Sequence, residues 1–183
     1  MIFCSTTLNL STRSNKKHTP DRIKNIHLKI YTMEKFKNID EVLDFAMKSE
    51  QEAVDFYNHL ATTMKNEEMR ETFIQFAREE VGHKARLQKI KDERLFDLTD
   101  EKVQDLQIAD YVVSAKPTPD MKYADALVLA MKKEKAAFKL YTNLAQRTDN
   151  QEIKKVFQNL AVEESKHKLR FELEYDEFVM REN

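Results

Sequence analysis

From Asn38 onward the apolar residues recur at three- and four-residue steps: Val42, Phe45, Ala46, Ala53, Phe56, Tyr57, Leu60 and Ala61. That period puts them on one face of an α-helix and predicts a helix over about residues 38–65. Asn38 with Glu41 reads as a capping box at its start. Asn66 marks a turn, after which Met69, Phe73, Phe76, Ala77 and Leu87 carry a second helix over about 67–94. A third pattern covers about 122–148 through Ala126, Leu129, Ala130, Ala137, Leu140, Tyr141 and Leu144. The turn Thr148-Asp149-Asn150 follows, with Asp149 and Glu152 as a second capping box. A fourth helix then runs over about 150–180 through Ile153, Val156, Phe157, Leu160 and Ala161.

The links fix how these helices are arranged. Short turns join the first to the second and the third to the fourth, which makes each pair an antiparallel hairpin. A long segment holding Pro117 and Pro119 joins the second to the third, long enough to cross the bundle end to end, with a short helix expected at Thr99–Leu106. The prediction is an all-α four-helix bundle of two hairpins joined by a crossover. Ile108, Val112 and Val113 of that crossover are expected to cover the helices or to meet a second copy.

Composition agrees with that reading and removes alternatives. With one Gly and three Pro in 183 residues, a turn-rich sheet fold is excluded, and so is any Gly-rich phosphate loop. A lone Cys4 excludes an internal disulfide, Cys-ligated zinc and iron–sulfur clusters. The net charge of −1 conceals an asymmetry: residues 1–32 hold six Lys/Arg against Asp21, a balance of +5, which leaves −6 on residues 33–183. An acidic body argues against nucleic acid as a partner. No apolar run is long enough for a membrane span. The opening MIFCSTTLNL lacks the basic start and cleavage site of a secretory signal. Residues 1–37 are therefore read as a basic, poorly ordered leader with an organelle transit peptide as the alternative, Met33 as a possible translation start, and 38–183 as a cytoplasmic bundle.

The two halves repeat. A shift of 84 residues aligns Asp44–Ile90 with Val128–Glu174 without a gap and gives 17 identities in 47 positions, where unrelated chains would give about three. Two copies suit a pseudo-symmetric bundle rather than a solenoid. The identities include Glu50/Glu134, Ala53/Ala137, Tyr57/Tyr141, Glu79/Glu163, Glu80/Glu164 and His83/His167. Each half thus carries a Glu on its first helix and Glu-x-x-His on its second, and residues at i and i+3 share a helical face. Glu50 and Glu80 each lie 15 residues from position 65, and Glu134 and Glu164 each lie 15 from Asp149. In an antiparallel hairpin, residues equidistant from the turn meet at one height, so four carboxylates and two imidazoles converge at mid-bundle. Their formal charge of −4 suits two divalent cations, and without cations four inward carboxylates would cost several kcal/mol each.

The neighbouring residues read differently. Glu79 and Glu163 sit about 100° around the helix from the motif glutamates and are expected to back the site or face solvent. His59 reads as surface, since Asn143 is its twin, and His18 and His27 belong to the leader. The eight Met read as core filler. The single glycine, Gly82, lies inside the first Glu-x-x-His opposite Lys166 in the repeat. A close approach by the crossover or a partner, or drift without consequence, would account for it.

On SEQEAVDFY (49–57), EEVGH (79–83), KEKAAFKLY (133–141) and EESKH (163–167), the sequence resembles the ferritin-like di-iron carboxylate superfamily, and within it the rubrerythrin-type branch, over about residues 38–175. The resemblance implies a ferritin-like bundle in which Glu80 and Glu164 bridge two irons. Glu50 with His83 would complete one ion, and Glu134 with His167 the other. Tyr57 and Tyr141 look like the tyrosines that hydrogen-bond ligand carboxylates in that branch. Two features depart from it. Cys4 alone cannot build the four-Cys rubredoxin domain that brings in electrons, and Ala137 stands where rubrerythrins carry an extra Glu.

The implied activity is oxidation–reduction on oxygen or hydrogen peroxide, as a peroxide reductase or a ferroxidase, with an external electron donor. The alternative is a non-catalytic iron-binding or storage bundle, for which a hollow cage would speak. A homodimer is the expected assembly. Manganese could replace iron, because oxygen and nitrogen donors accept both.

Overall fold

The computed structural model describes residues 35–96, 98–118 and 121–182. Four long helices are present: α1 (Ile39–Thr63), α2 (Glu67–Asp92), α4 (Tyr123–Arg147) and α5 (Gln151–Glu182), with the one-turn α3 (Asp100–Gln104) in the crossover. A 3₁₀ turn at Ile108–Asp110 follows α3. The helices pair as α1 with α2 and α4 with α5, giving the two hairpins and crossover of an all-α bundle. Among the described residues, no helix is long and apolar enough to cross a membrane. Most of the 1–37 leader lies outside the described residues. Its last part does not: Lys35 bridges Gln107 of the crossover, and Phe36 is buried with its ring edge-on to Phe45. The packed body therefore starts before Asn38.

Local chemistry sets the helix ends. The Asn38 side chain accepts the Glu41 N–H at 3.0 Å, whereas the Glu41 carboxylate accepts the N–H of Lys37 rather than that of Asn38. Asn66 caps α2 through the Met69 N–H at 3.3 Å. The capping box of Asp149 and Glu152 does not form. Asn150 caps α5 instead, accepting from the Glu152 and Ile153 N–H groups at 3.0 and 3.3 Å, while the Asp149 side chain is 98% exposed. The shift is one residue: α5 starts at Gln151, so only Asn150 has N2 and N3 donors within reach. At the end of α2, Arg94 takes the left-handed conformation (φ 49°) that glycine ordinarily supplies. The Leu95 N–H then bonds the Ile90 carbonyl and the Arg94 N–H bonds that of Lys91, which closes a Schellman motif.

The core falls into two apolar clusters. One gathers Leu43, Ala46, Leu87, Leu140, Tyr141, Leu144, Phe157 and Leu160, with Phe96, Val103, Leu106 and Tyr111 of the crossover laid on it. The other gathers Ala53, Phe56, Tyr57, Met69, Phe73, Ala130 and Phe171. In the crossover, Ile108 and Val113 pack on these clusters, while Val112 stays exposed. Gly82 is not explained by a close approach of the crossover, since a Cβ there would have nothing within 4 Å.

Candidate metal centre

Between the two apolar clusters lies a layer of buried polar side chains: Glu50 from α1, Glu80 and His83 from α2, Glu134 from α4, Glu164 and His167 from α5. None is more than 3% exposed. The i, i+3 spacing and the equal heights in the hairpins bring all six to one level, as the sequence pattern required. They form two sets, Glu50–Glu80–His83–Glu164 and Glu80–Glu134–Glu164–His167, and in each set one donor atom per residue lies within 4.8 Å of every other. Glu80 and Glu164 belong to both sets, Glu50 and His83 to one, Glu134 and His167 to the other.

Both imidazoles turn Nδ1 inward. His83 Nδ1 lies 2.9 Å from Glu80 Oε2 and 2.8 Å from Glu164 Oε1. His167 Nδ1 lies 2.9 Å from Glu80 Oε1 and 3.7 Å from Glu134 Oε2. The outer nitrogens meet the carboxylates that precede the motif in the opposite half. His83 Nε2 is 2.9 Å from Glu163, and His167 Nε2 is 2.5 Å from Glu79. A carboxylate only accepts, so each Nε2 carries a proton and donates, which makes Nδ1 the atom that a cation would take. Arg86 holds Glu163 at 2.6 Å, and Gln75 holds Glu79 at 2.7 Å. Sequence reasoning left Glu79 and Glu163 between a backing and a solvent role, although their identity across the repeat was the available signal.

The test of fit for a metal is the state of the donor atoms. Glu50 Oε1, both Glu80 oxygens, Glu164 Oε1 and the Nδ1 atoms of His83 and His167 are buried and make no aligned hydrogen bond. Buried polar atoms are almost always satisfied, and here the unsatisfied ones converge on two points, each with oxygens and one imidazole nitrogen. That donor set fits two divalent transition-metal ions.

Protonation follows from the crowding. Burial, then the charges of Glu80 and Glu134, push the Glu50 carboxyl well above its ordinary value. Burial and the charges of Glu50, Glu80 and Glu134 do the same to Glu164. Burial would also raise Glu80, but its contacts with His167 and His83 outweigh that and hold it at about 2. Burial would lower the His167 imidazole, yet its close contacts with Glu134 and Glu80 and their charges lift it to about 11. The layer thus retains protons that an arriving cation must displace.

The two tyrosines differ. The Tyr57 hydroxyl donates to Glu134, across the repeat from its own half. Tyr141, equally buried, makes no hydrogen bond among the described residues and lines a cavity of about 730 Å³ between α1, α4 and the crossover. Glu50, Glu80, Glu134 and Glu164 form part of the wall of the same cavity. His59 is exposed, and Asn143 donates to the Tyr111 hydroxyl at 2.7 Å, tying the crossover to α4.

The family model described as rubrerythrin matches residues 41–175. No curated protein matches the chain. Among solved structures it is similar to a hypothetical protein from Pyrococcus furiosus, at 24% identity and a TM-score of 0.59, covering 76% of this chain and 89% of that one. At that identity the likeness shows the fold alone.

Proposed function

Starting from the premise that the chain belongs to the rubrerythrin family, we propose that it is a di-iron oxidoreductase that reduces hydrogen peroxide or oxygen with electrons from an external donor. The observation that carries this reading is the pair of donor sets sharing Glu80 and Glu164, each completed by one further Glu and one His Nδ1 that lacks a hydrogen-bond partner. Two bound irons would supply two electrons to an O–O bond and stabilise the charge that develops on its oxygens.

The chain's own residues supply the rest. Glu50, Glu80, Glu134 and Glu164 neutralise two divalent ions, which favours the higher oxidation state once electrons leave. Glu163 and Glu79 fix the tautomer and the ring plane of His83 and His167, and the Tyr57 hydroxyl restrains Glu134. The cavity beside Glu50 and Glu134 gives a small oxidant a path to the carboxylate layer. The electrons are assigned to an external donor, because residues 38–183 of the bundle contain no cysteine from which an iron–sulfur relay could be built.

The test is anaerobic loading with ferrous iron, followed by rapid mixing with hydrogen peroxide and with air-saturated buffer. Two irons per chain and a diferric absorption spectrum with at least one oxidant are expected. Failure with both oxidants at full iron loading would reject an oxidoreductase and leave a metal-holding bundle. Metal analysis of protein purified without added metal decides between iron and manganese, since the donors accept both.

A further inference from the structure

We infer that the cavity between α1, α4 and the crossover is a binding site for a small organic carboxylate with an apolar body, anchored by Lys133. The inference rests on the metal reading for the charge of the cavity wall and goes beyond it in the ligand. Three observations carry it.

The first is size. Water occupies about 30 Å³, and oxygen or peroxide needs little more, whereas this cavity measures about 730 Å³. Pockets for organic ligands span about 300–1,000 Å³. The room comes from short side chains: Ala46, Ala53, Ala136 and Ala137 line it where the helices face each other beside the carboxylate layer. Leu140 and Val113 extend the apolar wall.

The second is a half-buried cation with one long ion pair. Lys133 lines the cavity next in sequence to Glu134, and its side chain is only 16% exposed. Its one ion-pair partner among the described residues is Glu52, at 3.7 Å and itself 56% exposed. An ammonium whose one ion pair is longer than a hydrogen bond keeps its donors for a further anionic partner. The repeat shows that the lysine is particular to this half, because its twin is Ser49.

The third is charge balance. The four carboxylates of the layer carry −4, which two divalent cations cancel. The remaining charged groups of the lining are Lys48, Lys116 and Lys133 against Glu52, a balance of +2. With cations in place the lining keeps a positive balance, with Lys133 half-buried and Lys48 and Lys116 exposed, beside apolar walls wide enough for an organic anion. Tyr141, whose hydroxyl has no hydrogen bond among the described residues, adds a donor in the same wall.

Octanoate is the probe, titrated calorimetrically into the full chain loaded with zinc, which binds the same donors and has no redox chemistry. Saturable binding of one octanoate per chain is expected, about tenfold or more weaker for Lys133→Gln and restored by Lys133→Arg. Ala137→Phe, which fills the cavity, should abolish binding while zinc stays at two per chain. Octanol and octylamine should bind about tenfold or more weaker than octanoate. Octanoate uptake that does not saturate, or that is equal in the wild type and in Lys133→Gln and Ala137→Phe, overturns the proposal. Zinc content is measured on the same samples. Fewer than two ions on the wild type brings down the metal reading and the proposal with it, whereas two ions without octanoate binding brings down the proposal alone.

Discussion

The two donor sets use the same residue types and sit in different surroundings. Around Glu134 and His167 aromatic groups pack closely: Tyr57 donates to the carboxylate, and Phe76 lies 4.2 Å from the imidazole, centroid to centroid. Phe73 and Phe171 then pack behind Tyr57. Around Glu50 that aromatic packing is missing, and the cavity wall it shares with Glu134 begins there. Among the described residues Glu50 Oε1 has no hydrogen bond and Tyr141 donates to nothing, and beside Tyr141 only Phe157 remains of the aromatic wall, leucines taking the other places. The repeat makes the substitutions explicit, since Phe56, Phe76 and Phe171 correspond to Leu140, Leu160 and Leu87. Duplication thus supplies the ligands in pairs, and divergence of their neighbours gives one half an aromatic packing and a tyrosine bond that the other lacks.

The largest effect should come from a residue that both halves share. Glu164→Ala removes a carboxylate from each set and is expected to take zinc binding from two ions per chain to none at micromolar metal, as measured by elemental analysis. Retention of one ion at full occupancy would show that the halves bind independently.

Next come the outer carboxylates. Glu79→Gln should weaken the His167 ion by about 10–100-fold, and Glu163→Gln the His83 ion by the same amount. A two-step metal titration separates them. If either variant weakens both steps equally, the comparison of halves fails.

The tyrosines test the difference directly. Tyr57→Phe leaves Glu134 without its buried donor and should destabilise the metal-free protein by about 1.5–3 kcal/mol, read by urea denaturation. Tyr141→Phe should change stability by less than about 0.5 kcal/mol. Equal losses would mean that the two hydroxyls are equivalent in solution.

The smallest effect concerns the position where the motifs themselves differ. Gly82 lies within α2 with open space around its Cβ position, so Gly82→Ala should stabilise by about 0.5–1 kcal/mol without altering metal content. A loss of stability would point to a neighbour that the single chain does not contain.

Most of the frame was readable because helical period and duplication both constrain it. The long helices follow the apolar steps from Val42 to Ala61 and their repeat, and the layer of Glu50, Glu80, His83, Glu134, Glu164 and His167 follows from i, i+3 spacing and equal distance from the turns. Other features depend on contacts that no single segment encodes. Asp149 and Asn150 are both good caps, and only the position of the first helical turn selects Asn150. The bonds from His83 to Glu163 and from His167 to Glu79 cross between hairpins, so neither helix alone reveals them. Tyr57 and Tyr141 occupy equivalent positions in the repeat, and what separates them is the opposite half and the crossover. Ala46, Ala53 and Ala137 read in the sequence only as apolar positions on helix faces. In the fold their shortness is what leaves room for the cavity.

The polar layer also bears on the order in which the chain assembles. Each hairpin closes through a turn of only a few residues, at 64–66 and 148–150, so its internal contacts are local and form early. The contacts that join the hairpins span 77 residues for Tyr57 with Glu134 and 88 for Glu79 with His167. At the join, each partner presents two carboxylates to the other's two. Docking is therefore the step that loop closure slows and like charge opposes, and a divalent ion relieves that repulsion by taking ligands from both hairpins at once.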